Sequence, residues 1–389
     1  MEINIDVRRL LIIIISLMIY FCAMLSVSYA FYQVGYTTDA QVVNVKTTED
    51  NQVYVVHDIY GKKVSERITD WDLSETTIDD NIVYYIKLLS RLKTVDFGSQ
   101  VIDEELLTKL INTYPQVKFI YRINIGNKSI NSLTSNLDLS NTKINDYDKL
   151  IKSMTLLTNL KTADFSNSSL SNEELDNLRK LFPNVDINWV VHLGKWSVRT
   201  DAISFSVLIY HYDYVRMTSK DIEVLKYCTK LQALDLGHQA ITDISVIGDY
   251  LPNLRILILA DNKVGDITPL KKLKHLHYLE LFINPLKDIT PLKDLKELVD
   301  VNFCYCWGIN DYSILYDLPH LERIWLVGTH INREGINTLK EKHPDAQIVN
   351  TGAGSTNSGW RTHERYFEMI KMYHYPYYLS ESFTKYDNI

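Results

Sequence analysis

With 389 residues, 46% of them apolar and 23% charged, the chain has the composition of a folded protein and not of a disordered one. A formal charge of −7 with no basic cluster excludes an electrostatic grip on phosphates, so nucleic acid is not an expected partner. Cys228, Cys304 and Cys306, with Cys22 in the apolar N-terminal run, are too few for a disulfide framework, and the core must hold the fold.

Residues 10–25 read LLIIIISLMIYFCAML without a charge, and apolar character continues to Tyr32. At helical rise this run is long enough to cross a bilayer, which makes the membrane an expected partner through residues 10–32. Arg8 and Arg9 lie on its N-terminal side and no Lys follows until Lys46, so the positive-inside rule puts the N-terminus inside and the remainder outside the cytoplasm. Ser28-Tyr29-Ala30 also reads as a small-x-small cleavage site, and secretion after Ala30 is the alternative. Residues 33–67 form an N-terminal cap region before the first repeat.

From Ile68 to residue 230 the chain carries long duplicated units. Ile68, Thr134 and Ala202 open equivalent segments 66 and 68 residues apart, and Leu92, Leu160 and Leu231 open a second set 68 and 71 apart. Asp103-Glu104-Glu105-Leu106 and Asn172-Glu173-Glu174-Leu175 carry a polar cap, early acids and then apolar residues three to four apart, which predicts helices. After Tyr114-Pro115 and Phe182-Pro183, the alternations Val117 to Ile125 and Val185 to Leu193 each predict one strand about nine residues long, ending at Gly126 and Gly194.

Compact repeats occupy 231–350. Leu231, Leu254, Leu276, Leu298 and Leu321 are spaced 22 or 23 residues apart, with apolar residues three and five steps on: Leu234 and Leu236, Leu257 and Leu259, Leu279 and Leu281, Val301 and Phe303, Ile324 and Leu326. The eighth step holds Gln239, Asn262, Asn284, Cys306 and Thr329, where a polar side chain can satisfy the backbone of a turn. That position explains Cys306 and argues against a metal or redox pair with Cys304. A last helix-Pro-strand unit over 332–349 predicts a cap on the core. Residues 351–389 are read as a Gly/Ser-rich linker followed by an aromatic tail.

The pattern L-x-x-L-x-L-x-x-N/C-x-L is that of leucine-rich repeats, so the expected fold is an α/β solenoid: a curved parallel sheet on the concave side, with helices and turns on the convex side. Phrases such as Asp266-Ile267-Thr268-Pro269-Leu270 and Asp288-Ile289-Thr290-Pro291-Leu292 resemble bacterial internalin-type repeats and those of phosphatase regulators. The long units and the Ser358-Gly359-Trp360-Arg361-Thr362-His363 phrase are similar to membrane-anchored or secreted repeat proteins of Gram-positive gut bacteria. The internalin resemblance implies a receptor- or adhesin-like role. With no Leu-Pro-x-Thr-Gly sorting signal, attachment would rest on the N-terminal segment. The phosphatase-regulator resemblance implies a cytoplasmic partner, against the reading of that segment.

In such a strand the residues between the inward leucines face the concave surface. These are Asp235 and His238, Ile256 and Ile258, Tyr278, Glu280 and Phe282, Asp300, Asn302 and Tyr305, then Arg323 and Trp325. Aromatic, arginine and apolar groups at solvent-facing positions of adjacent strands predict a binding patch for a protein or peptide ligand. Upstream, the equivalent positions hold Thr94, Asp96, Ser99, Thr162, Asp164 and Asn167, so the patch is expected in the C-terminal half. The alternative is a structural envelope protein whose tail covers the patch with Tyr366, Phe367, Tyr373, Tyr375, Tyr377 and Tyr378; a glycan-binding adhesin is a further variant. No G-x-S-x-G, H-E-x-x-H or P-loop occurs, and His238, His275 and His277 read as solvated surface groups. Neither enzyme activity, a cofactor nor a metal is expected.

Overall fold

The computed structural model describes residues 42–47, 53–207 and 215–384. The proposed membrane segment at 10–32 lies outside them, and among the described residues no helix is long and apolar enough to cross a membrane. The chain divides after Ile123 into two compact units.

In the first unit, β1 (Val42–Thr47), β2 (Val53–Ile59) and β3 (Lys62–Ser65) form an antiparallel sheet within the expected cap region. The β2–β3 turn, Tyr60-Gly61, has positive φ at both residues, the geometry that lets a two-residue loop follow the strand twist. Next come β4 (Asp70–Asp72), α1 (Ile82–Leu88), β5 (Thr94–Val101), α2 (Glu104–Thr113) and β6 (Lys118–Ile125). β4, β5 and β6 pair in parallel. Trp71, Val95 and Phe119 stand at matched positions across them and are buried, as are Leu107 and Leu110 of α2. Asp103 caps α2 by accepting from the backbone of Glu105 and Leu106.

The second unit begins with β7 (Lys128–Asn131), β8 (Asn136–Asp138), α3 (Tyr147–Leu156), β9 (Thr162–Asp164), α4 (Asn172–Leu181) and β10 (Asp186–Asn188). β8, β9 and β10 form a parallel sheet with Leu137, Ala163 and Ile187 in one inward row. The cap of α4 is Ser171, one residue before the expected Asn172, because Ser171 and Glu174 close a reciprocal capping box. The single strand expected from Val185 to Leu193 is two. β10 stays in the parallel sheet, while β11 (Val190–Leu193) leaves it to pair with β12 (Trp196–Arg199). Trp189 is the break: its backbone is taken by Thr200, whose hydroxyl accepts from Trp189 N at 3.1 Å and whose N–H donates to Trp189 O at 2.8 Å.

The end of the long units and the compact repeats together supply the main sheet: β13 (Ser204–Ser206), β14 (Ala233–Asp235), β15 (Ile256–Ile258), β16 (Tyr278–Glu280), β17 (Asp300–Asn302), β18 (Arg323–Trp325) and β19 (Gln347–Val349), all parallel and in register. Phe205, Leu234, Leu257, Leu279, Val301, Ile324 and Ile348 are the central residues. The return path is α5 (Ser245–Tyr250), single 3-10 turns at Thr268–Lys272, Thr290–Asp294 and Ser313–Asp317, and α6 (Arg333–Lys342). The Asp-Ile-Thr-Pro-Leu phrase makes the first two of those turns: Asp266 and Asp288 each accept from the Thr backbone at 2.8 Å, and Pro fixes φ for the first residues.

The polar eighth step works as anticipated. Asn262 accepts from Ile241 N at 3.0 Å and donates to Leu236 O and Leu259 O; Asn284 accepts from Val264 N at 2.9 Å and donates to Leu259 O and Leu281 O. Cys306 keeps one of these bonds, Sγ to Leu281 O at 3.1 Å. Burial pushes the thiols of Cys304 and Cys306 up to about 12, so they are inert packing groups.

Candidate functional site

In each compact-repeat strand the first and third residues point away from the leucine core, because strand side chains alternate. Two rows result. One is Ser204, Ala233, Ile256, Tyr278, Asp300, Arg323 and Gln347; the other is Ser206, Asp235, Ile258, Glu280, Asn302, Trp325 and Val349. On an open solenoid both rows would meet water, yet from β14 to β18 every one of these residues is buried. Their cover is the C-terminal tail.

The tail crosses the face as a connector, the helix α7 (Glu364–His374) and a closing 3-10 turn at Glu381–Phe383. Arg365, Met369, Met372 and Tyr373 repeat at helical spacing and give α7 its inner stripe; Met369 and Met372 are fully buried. Trp360 precedes the helix and is fully buried between Trp325 and Tyr278, with ring centroids 4.9 and 5.3 Å away. The Arg323 guanidinium lies 4.5 Å from the Trp360 ring centroid and donates to Trp360 O. Phe383 fills the end of the same apolar cluster.

Charge is matched across this contact. The Glu280 carboxylate, with no solvent exposure, accepts from Tyr278 Oη, from Trp360 Nε1 at 2.8 Å and from two Arg361 nitrogens at 2.7 Å each. Asp300 is held by two guanidinium forks: Arg323 at 2.9 and 2.6 Å, and Arg365 at 2.8 and 2.7 Å. Arg365 also reaches Glu322 at 2.5 Å. Forked pairing satisfies both oxygens of each carboxylate, which is what lets such charges be buried. Among the described residues no guanidinium fork meets Asp235. It accepts from Gly237 N and Ser206 Oγ, and burial pushes its carboxyl up to about 6.

The connector is tied down as well, unlike the free linker expected from its Gly/Ser content. Asn302 donates to Ser355 O at 2.8 Å, Trp325 Nε1 to Asn357 O at 2.9 Å, Gln347 to Ser358 O at 3.0 Å, and Gly354 N to Tyr305 Oη at 3.1 Å. Beyond α7, the main chain of Pro376 accepts from Ile203 N at 2.8 Å, and Arg255 donates to Phe383 O at 3.1 Å.

Of the twelve residues expected to form the patch, Asp235, Ile256, Ile258, Tyr278, Glu280, Phe282, Asp300, Asn302, Arg323 and Trp325 do converge on one surface. They are buried where an exposed patch was expected, because the aromatic and charged groups of the tail are their partners. Tyr305 is half-buried at the margin, and His238 is exposed there, its ring 3.0 Å from Asp261. Among the tail residues expected as cover, Tyr373 is buried and Tyr366 and Tyr378 pack against the cluster, whereas Phe367, Tyr375 and Tyr377 face outward. Glu322, Trp360, Arg361, Arg365, Met369, Met372 and Phe383 were not singled out for this contact. Their readable signal is the Trp-Arg pair followed four residues on by a second arginine.

Upstream, Asp164 of β9 receives Arg199 of β12 at 2.8 Å, so the polar row there is partly neutralised by the neighbouring hairpin. Among the described residues no group of three or more His, Cys, Asp or Glu is placed to hold a metal.

Residues 252–294 match the family model described as leucine rich repeats in two copies. No curated protein matches the chain. Among solved structures it is similar to internalin C2 of Listeria monocytogenes, at 21% identity over 56% of this chain and 80% of that one, with a TM-score of 0.31. It is also similar to internalin F of the same organism, at 21% identity over 77% and 87% of the two chains, with a TM-score of 0.32. A leucine-rich-repeat protein of Leptospira interrogans is 15% identical over 71% of this chain and 81% of its own, with a TM-score of 0.27. Likenesses at this level speak to neither partner nor activity.

Proposed function

We propose that this chain, which carries leucine-rich repeats, is a non-enzymatic protein- or peptide-binding module displayed outside the cytoplasm on its 10–32 segment, and that its binding surface is the concave face of the compact repeats. The observation that supports this reading is the present occupant of that face. The helix α7 and the turn before it lie across the strands and are recognised by side chains, Arg361 of the turn on Glu280 and Arg365 of the helix on Asp300, in the manner of a helix in a groove. Strand-face residues of a solenoid built only for its own stability need no such set of buried acids.

A second reading, a scaffold closed for good by its tail, is favoured by the full burial of Trp360, Met369, Met372 and Phe383, which resembles an ordinary core. The two differ in what happens when the contact is weakened. In the full chain carrying Trp360→Ala and Arg361→Ala, a binding module releases its tail, read as new protease cleavage within 350–359, while the repeats keep their far-UV circular dichroism and cooperative melt. Loss of the repeat signal together with the tail would decide for the scaffold. Placement outside the cytoplasm is checked by protease treatment of intact cells: shaving should remove the repeats, and protection would refute the topology.

A further inference from the structure

Without the tail, the concave face would present Asp235, Glu280, Glu322 and the Asp300–Arg323 pair around the rings of Tyr278 and Trp325. The tail answers this surface with a short, ordered set of groups. Trp360 fills the aromatic slot and Arg361 neutralises Glu280. Arg365 neutralises Asp300, and Met369, Met372 and Tyr373 follow it at helical spacing onto the apolar strands. Each of these partners is specific in shape as well as in charge, since Glu280 and Asp300 are met by forks that a lysine could not supply.

Resting on the reading of this face as a binding surface, we infer that its external ligand is an amphipathic helix of a protein partner. That partner segment carries an aromatic–arginine pair just ahead of the helix, a second arginine four residues after the first at the helix start, and apolar residues four, seven and eight positions beyond that. The tail holds the place of this helix as a tethered competitor. Charge complementarity selects this occupant. A neutral glycan brings no cation to Glu280, which Arg361 of the tail neutralises and which loses its water on being covered, and a nucleic acid would set phosphates against carboxylates. The tether sets the threshold for exchange. A connector of about ten residues gives the tail an effective concentration on the order of millimolar, so a free helix at micromolar concentration does not enter the intact chain.

The test uses the full chain with Trp360→Ala and Arg361→Ala, and, as probe, a labelled synthetic peptide with the sequence of residues 355–384 followed by fluorescence anisotropy. The peptide is expected to bind the loosened chain and not the unaltered one. Alanine at both peptide arginines should weaken binding by about a hundredfold, and Glu280→Gln in the loosened chain by about tenfold or more. Should the loosened chain fail to fold, a second form replaces it: a full chain with a protease site within 352–358, cut after folding, so that every residue is retained and the tail can exchange for the probe. Equal binding of the arginine-free peptide overturns the aromatic–arginine requirement and leaves the face a peptide site. No binding of either peptide to a folded chain whose tail has been released overturns the proposal and the reading beneath it.

Discussion

The Glu280–Arg361 pair gives the sharpest measure of how strongly the tail is held. Arg361→Ala strips two charge-assisted bonds from a carboxylate with no solvent exposure and leaves it with the neutral donors Tyr278 and Trp360. Breaking a buried pair from one side costs about 3–5 kcal/mol, and the lower end applies because the Arg361 side chain is 27% exposed and water can follow it. Glu280→Gln turns one accepting oxygen into a donor aimed at the guanidinium and should cost about 3 kcal/mol on its own. The double variant has no buried charge left to strand, so its cost should stay near that of either single change, a coupling of about 2–3 kcal/mol. The quantity to follow is native-state amide exchange in α7, which reports opening of the tail apart from unfolding of the repeats. Additive effects, with the double variant near 6 kcal/mol, would refute the claim that Arg361 holds the tail through Glu280.

Asp235 predicts a pH dependence. Its carboxyl is raised from 3.8 to about 6, chiefly by burial, with Glu280 adding to the rise and Gly237 N, Ser206 and Arg361 opposing it; Tyr366 and Tyr373 of the tail face it as well. A folded value above the unfolded one means that the folded state holds the proton more tightly. Stability from this group is therefore full below about pH 4 and is lost as pH rises to about 6, by about 3 kcal/mol. Asp235→Asn removes this slope, so it should gain on the unaltered chain between pH 4 and 7 in urea midpoints; a constant difference across that range would show that Asp235 does not titrate there. Ile283 predicts a stabilising change. It sits at φ 58° and is 39% exposed, in a column where the strand exits at Asn141, Asn167, His238, Asp261 and Tyr305 share the left-handed conformation. A β-branched residue is the poorest choice there, and Ile283→Asn should raise stability by about 1 kcal/mol, read as a higher melting temperature; a lower one would mean that its remaining contacts outweigh the strain.

What the sequence discloses about this molecule follows from how far each constraint reaches. Leu234, Leu257, Leu279, Val301 and Ile324 are legible because a stacked repeat imposes the same burial every 22 or 23 residues. Asn262 and Asn284 are legible for the same reason, since each turn needs its backbone satisfied in the same place. Where a residue answers to something outside the repeat, the period is silent. The strand break at Trp189 depends on Thr200. The concave face is the strongest case. Periodicity assigns Glu280 and Asp300 to solvent-facing positions, and by that rule they are surface carboxylates. Their burial is decided by Arg361 and Arg365, 81 and 65 residues away in sequence, in a segment that belongs to no repeat. The face could therefore be located from the strands alone, but its occupant could not. The complementary half of the information lies in the tail, where one tryptophan and two arginines stand at the spacing that meets an acid on one strand and an acid on the next.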